Sequence, residues 1–252
     1  MNGLALCAGI GGLELGLTAA LAGRYRTVCY VEREAYAAAC LVARMEDAAL
    51  DTAPVWDDIS TFDGRPWRGV VDVVAAGYPC QPHSVAGKRK GAADERNLWP
   101  AVARIISECA PALVFLENVP GAMRFTYEHV LPDLSRLGYR VEAGLFSAEE
   151  VGAPHRRRRL FVLAHASGSE LAGWQGERDH DEQEREAAAR DGRLWPPGPD
   201  CPPGEWPADV PQPAVCRGAD GAARGLDRLR ALGNAVVPQT AALAFRALTE
   251  RL

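Results

Sequence analysis

The sequence predicts an α/β fold built on a mainly parallel sheet covered by helices, and three observations carry that expectation. Short apolar runs at 4–8, 27–31, 70–75 and 112–116 alternate with longer stretches of helical spacing at 12–21, 33–44 and 97–109. A glycine-dense turn, Ala8, Gly9, Ile10, Gly11 and Gly12, joins the first run to the first helix, as a strand-to-helix connection at the carboxyl edge of such a sheet requires. Two further strands, 139–146 and 159–164, are joined through a turn at Gly152, Ala153 and Pro154, so the parallel part closes on a hairpin.

The pattern breaks near His165. Residues 166–225 hold an acidic, helix-permissive run followed by a stretch dense in proline, glycine and tryptophan, with little periodicity. They read as a small irregular lobe rather than a second large core. From 226 the chain regains order, first as a loop-like motif over 228–237 and then as a closing helix over 239–252. The domain reading is therefore 1–165, 166–225 and 226–252, the last returning to the first.

Composition narrows the function classes. With 48% hydrophobic and 24% charged residues over 252 positions, the chain has the balance of a folded globular protein. No apolar run reaches the roughly 20 residues that span a bilayer, and the start has no basic leader region, so a cytoplasmic location is expected. Seven cysteines with no C-x-x-C pair argue against a disulfide framework and against a zinc site. A net charge of -5 gives no global attraction to nucleic acid. Any such contact must rest on local basic clusters, of which Lys88, Arg89 and Lys90 form one and Arg156 to Arg159 another.

Chemistry concentrates at the predicted strand ends. The glycine turn lets a ligand approach the backbone. Glu32 closes the second strand, where a carboxylate accepts hydrogen bonds from the two hydroxyls of a ribose. Asp58, or Asp57 beside it, follows the next turn and is placed to meet a nucleobase edge. Gly77, Tyr78, Pro79, Cys80, Gln81 and Pro82 follow the third apolar run, and prolines on both sides hold Cys80 in a fixed loop, a setting that suits a nucleophile better than a buried thiol. Glu117, in Leu116-Glu117-Asn118-Val119-Pro120, ends the next strand and faces the same cleft. A carboxylic acid beside a thiolate suits addition to an electron-poor ring, where a ring nitrogen gains a proton as the nucleophile adds.

AGIGG, GYPCQ, LENVPG, GAPHRRRR and RLRALGNAVVP occur in the order and spacing of the bacterial and phage cytosine-5 DNA methyltransferases, and the chain resembles that family over residues 3–165 and about 226–250. The resemblance implies a Rossmann-like sheet of the class I type that uses S-adenosylmethionine, with a small irregular target-recognition lobe of about 60 residues. It implies a cofactor pocket lined by Leu6, Cys7, Ala8, Gly9, Ile10, Gly11, Gly12, Glu32, Arg33, Asp58, Ile59 and Pro79, completed by Asn234 and Val236. Cys80 would be the nucleophile and Glu117 the group that holds the base. Arg157 and Arg159 would be the functional arginines, orienting the base carbonyl and a phosphate. Gln81, Ser84, Lys88 and Arg89 would face double-stranded DNA, and the chain would act as a monomer without a metal.

The match departs from the family pattern at three positions. His155 stands where glutamine is usual, Cys7 replaces a common aromatic residue, and Arg33 stands where an aromatic often packs on adenine. Three rivals remain: a tRNA cytosine-5 methyltransferase, a catalytically inactive DNA-binding relative, and a thiol hydrolase pairing Cys80 with His83 or His155. The last is disfavoured because His83 follows Cys80 too closely on a proline-stiffened loop to act easily as its base.

Overall fold

The computed structural model describes residues 1–79, 97–168 and 233–252. Seven strands form one sheet: β1 (Asn2–Leu6), β2 (Arg26–Val31), β3 (Val55–Trp56), β4 (Val73–Ala76), β5 (Leu113–Asn118), β6 (Tyr139–Ser147) and β7 (Arg158–Ala166). Their spatial order is β3-β2-β1-β4-β5-β7-β6. β1 to β5 pair in parallel, whereas β7 runs antiparallel to both β5 and β6. The helices are α1 (Gly12–Ala20), α2 (Ala35–Glu46), α3 (Trp99–Cys109), α4 (Leu131–Arg136) and α5 (Pro238–Thr249).

Alternation along the strands divides the core between the two faces. Val74 and Ala76 of β4, with Val114 and Leu116 of β5, pack against Val102, Ile105 and Ile106 of α3. On the other face Val73, Ala75, Leu113 and Phe115 meet Leu13 and Leu17 of α1 and Ala241, Phe245 and Leu248 of α5. Phe115 stacks on Phe161 at 5.6 Å and takes the edge of Phe245 at 5.3 Å, which anchors α5 under the sheet. Within this packing Glu14, in the first turn of α1, is 1% exposed and its Oε2 has no partner among the described residues. Burial raises its carboxyl to about 7.

Register places the chemistry. Leu6 lies opposite Val31 on one side and Ala76 on the other, and Ala76 lies opposite Leu116. Cys7, Glu32, Gly77 and Glu117 therefore emerge level with one another at the carboxyl edge. Because β7 runs the other way, with Phe161 opposite Glu117 and Leu160 opposite Asn118, its amino end carries Arg158 and Arg159 to that same edge.

The expected strands and helices are present, with shifted bounds. The first strand stops at Leu6, because Cys7 turns to φ +51° and Gly9 to φ +57° to begin the turn into α1. The third apolar run yields a strand only from Val73, since the amides of Val70 and Val71 bond back to the Trp67 carbonyl. One passage was not anticipated: residues 120–136 are helical throughout, running from a 3₁₀ turn (Pro120–Ala122) through a π turn (Thr126–Val130) into α4. Pro120 and Pro132 each stand at the first turn of a segment, where a missing N–H costs nothing. The β6–β7 connection is also longer than the expected turn, with a 3₁₀ segment (Ala148–Val151) closed by a reciprocal Ser147–Glu150 capping box and ended by Gly152 at φ +82°.

Candidate active site

Glu32 is the best-ordered acidic group at the edge. Its Oε2 accepts the Gly9 amide at 2.7 Å and its Oε1 accepts the Glu34 amide at 2.8 Å. Each oxygen keeps further lone-pair capacity, so the carboxylate is fixed without being used up. Among the described residues a side chain at Gly9 would meet nothing within 4 Å, so the glycine turn is unfilled by them there. On its other side the turn is clamped: Arg44 donates to the Ile10 carbonyl at 2.5 Å. The backbone of Val236 presses so close on Gly12 that a Cβ there would lie 2.4 Å from the Val236 carbonyl oxygen. Asp58 caps its own turn by accepting the Ser60 amide at 2.8 Å, and its carboxyl is held below the usual range first by that bond.

The remaining residues of the expected cofactor pocket divide between surface and core. Leu6 and Ile59 are buried in the larger core cluster, Ala8 packs against Tyr30 and Leu41, and Arg33, Pro79 and Asn234 are exposed. Val236 is half-buried beside α1. Burial, reinforced by Glu32, pushes the Cys7 thiol up to about 12, and burial raises Cys29 to about 11 and Cys109 to about 12. None of these three is ready to be a thiolate. Cys80, Gln81, Ser84, Lys88 and Arg89 lie outside the described residues, as does the lobe from 169 onward.

Glu117 forms the acidic centre of the opposite half. It is 7% exposed, and its Oε1 lies 2.9 Å from Arg159 Nε, within ion-pair range but without the alignment of a hydrogen bond. Burial lifts its carboxyl to about 7 against the opposing pull of Arg159 and then Arg157. A side chain on Gly77 would stand 3.7 Å from both Glu117 Oε2 and the Cys7 carbonyl, so Gly77 lies between the two halves of the edge.

The two arginines share a face, as alternation predicts: Arg156 and Arg158 are exposed, whereas Arg157 and Arg159 are half-buried. Both reach the Gly233 carbonyl, but their other partners differ. Arg157 Nη2 donates to the carbonyls of Gly233, at 2.8 Å, and Ala235, while its Nε is buried with no partner among the described residues. Arg159 turns toward Glu117, donates to the Arg158 carbonyl at 2.9 Å and makes a longer bond, 3.4 Å, to that of Gly233.

Sequence reasoning assigned no role to Asn118, although it quoted the motif containing it. Asn118 Nδ2 donates to the Tyr78 carbonyl at 3.1 Å while its Oδ1 accepts the Val119 amide at 2.9 Å. Together with the Tyr78–Trp99 ring contact at 5.7 Å, this pins the backbone at Tyr78, two residues before Cys80. Nothing in its spacing distinguished it from an ordinary strand-end asparagine.

The sequence model of the C-5 cytosine-specific DNA methylase family matches residues 1–193, stopping before the 228–237 motif. Among curated proteins, a type II methyltransferase of Neisseria gonorrhoeae, M.NgoMIV, is 34% identical over 169 residues, covering 64% of this chain and 50% of its own length. A second, M.AplI of Arthrospira platensis, is 36% identical over 166 residues, covering 64% of this chain and 45% of its own. The chain thus spans about half the length of these relatives. Among solved structures, a putative DNA modification methyltransferase encoded within an E. coli prophage superposes with TM-score 0.54 at 26% identity, covering 66% of this chain and 47% of that one. Spodoptera frugiperda DNMT2 superposes with TM-score 0.55 at 21% identity over 71% of this chain and 53% of its own, a likeness of fold.

Proposed function

Because the chain belongs to the C-5 cytosine-specific DNA methylase family, we propose that it methylates carbon 5 of a cytosine extruded from double-stranded DNA, with S-adenosylmethionine as donor and Cys80 as nucleophile. One observation carries the reading: a buried carboxylic acid poised near neutrality, Glu117, stands across a single glycine from the glycine turn and beside Arg159.

The cradle fits the cofactor. The space at Gly9, unfilled by the described residues, admits an extended ligand, and the Glu32 carboxylate, oriented by two backbone amides, suits a pair of ribose hydroxyls. Asp58 would meet the adenine, with Pro79, Asn234 and Val236 closing the pocket. When bound, S-adenosylmethionine supplies an electrophilic methyl group on a sulfonium.

The protein side of the reaction is activation of a poor nucleophile. Carbon 5 of cytosine attacks weakly, but bonding of the Cys80 thiolate to carbon 6 turns the ring into an enamine with electron density at carbon 5. Glu117 in its protonated form donates to the ring N3 as that density develops, and Arg159 balances charge on the other side. After transfer, solvent water takes the carbon 5 proton, Cys80 departs as thiolate and N3 returns its proton to Glu117, which restores the aromatic ring. The target must leave the base stack first, at a cost of a few kcal/mol. The 80–96 segment, with Lys88 and Arg89 for phosphate, is suited to hold it out, and residues 166–225 would read the flanking sequence.

Covalent trapping tests this directly. On a mixed-sequence duplex carrying 5-fluorocytosine, with S-adenosylmethionine, the wild type should form a denaturation-resistant complex and Cys80→Ala should form none, because fluorine blocks the final elimination. Trapping on tRNA instead, or cofactor binding with no adduct on either nucleic acid, would replace the DNA reading with an RNA-directed or an inactive relative.

A further inference from the structure

Arg157, just before β7, and Arg159, at its start, lie two residues apart on one face; both reach the Gly233 carbonyl, at 2.8 Å and 3.4 Å, but their other partners differ. Arg159 addresses the Glu117 carboxylate. Arg157 addresses backbone: one nitrogen, Nη2, donates to the carbonyls of Gly233 and Ala235, more than seventy residues away in sequence. These carbonyls belong to the segment by which the chain returns to the sheet. The next carbonyl, that of Val236, lies against Gly12 in the cofactor turn, and α5 then packs on α1 so closely that a Cβ on Gly16 would stand 2.6 Å from the Ala241 Cβ. Residues 233–236 are therefore a short bridge, fastened at one end by a guanidinium and seated at the other on the glycine turn. A return after residues 167–232 carries a loop-closure cost, and charge-assisted bonds to two carbonyls at the landing point oppose it.

From this geometry we infer that Arg157 is a positioning residue, latching residues 233–236 over the cofactor cradle so that Asn234 and Val236 close it, and does not itself contact the base. The inference rests on the cofactor reading above and separates Arg157 from Arg159, with which sequence resemblance grouped it. A lysine at 157 keeps the charge but not the planar fork, so it retains part of the latch.

The test measures binding of S-adenosylmethionine in the absence of DNA by calorimetric titration, together with KM for the cofactor and kcat, on the full chain and on Arg157→Ala, Arg157→Lys and Arg159→Ala. Losing the latch should weaken cofactor binding in Arg157→Ala by about tenfold or more, with Arg157→Lys in between, since each charge-assisted bond is worth about that factor. At saturating cofactor, kcat and the 5-fluorocytosine adduct should stay within about threefold of wild type, a split that loss of a charge-assisted contact to the base, worth about tenfold or more, would not give. Arg159→Ala should do the reverse, keeping cofactor affinity and losing kcat. Wild-type affinity in Arg157→Ala with kcat lost would overturn the assignment and return Arg157 to the base. Loss of the wild-type circular dichroism in both Arg157 variants would also overturn it, because a latch on the return segment leaves the sheet standing. A wild type that binds no S-adenosylmethionine would overturn the cofactor reading itself.

Discussion

Glu117 illustrates how one side chain is tuned by opposing forces. Removing a carboxyl from water penalises its charged form, whereas a guanidinium 2.9 Å away favours it. Burial wins here, and the group titrates at about 7 rather than in the ordinary carboxylate range. Below that pH the acid carries the proton that ring N3 needs. Above it the carboxylate can only accept. We therefore expect kcat/KM for DNA methylation to fall as pH rises through about 7, a limb opposite in sign to the one set by ionisation of the nucleophile. Glu117→Gln offers a permanent amide donor that does not titrate, so it should abolish the descending limb while lowering the rate by roughly 10²–10⁴. A pH–rate profile of both proteins decides the matter, and a limb that survives in Glu117→Gln would assign it to another group.

At the scale of elements, the strand register sets the site and helix packing holds it. Four parallel strand ends and one antiparallel strand start converge because Leu6, Val31, Ala76 and Leu116 are level and β7 runs in reverse. The contact between α1 and α5 then fastens the cofactor turn to the C-terminal segment, and at Gly16 the two helices leave no room for a Cβ. Gly16→Ala gains up to about 1 kcal/mol of helix propensity. It also drives a methyl to 2.6 Å from Ala241 and 2.8 Å from the Pro238 carbonyl, overpacking worth about 1–3 kcal/mol. The net expectation is a lower melting temperature by a few degrees, and a thermal melt showing equal or greater stability would mean that α5 shifts freely on α1. Much of this scaffold was legible in the sequence. Short apolar runs marked the strands, glycines marked the first turn, and alternation sorted Arg157 and Arg159 from Arg156 and Arg158. The 120–136 passage was not legible, because Pro120 and Pro132 look like breakers until their first-turn positions are known. The Arg157 bridge was hidden for a different reason: its acceptors are backbone carbonyls, which leave no trace in residue type.

For the molecule as a whole, charge poses the sharpest problem. The chain carries 28 basic and 33 acidic residues, a net of -5, and a polyanion approaching it meets net repulsion at long range. The DNA affinity proposed above would then have to come from a few cations placed where phosphates land, with the rest of the surface contributing little. Of the two basic clusters, the one at 156–159 is partly committed elsewhere: Arg157 to carbonyls, Arg159 to Glu117, and Arg156 lies 3.7 Å from Glu149. On the proposed reading, the principal phosphate contacts would then be Lys88, Arg89 and Lys90, in the segment after Cys80. Each phosphate neutralised releases condensed counterions and contributes about 0.9 to the slope of log affinity against log salt. Replacing Lys88 and Arg89 by glutamine should therefore flatten that slope by roughly 2 and weaken binding most at low salt. Affinity for S-adenosylmethionine should be unaffected, since neither residue belongs to the cradle. Binding measured over a series of salt concentrations reads this directly. An unchanged slope would mean that the 80–96 segment stays clear of the backbone and that the phosphates are met from residues 166–225, despite the acidic run there.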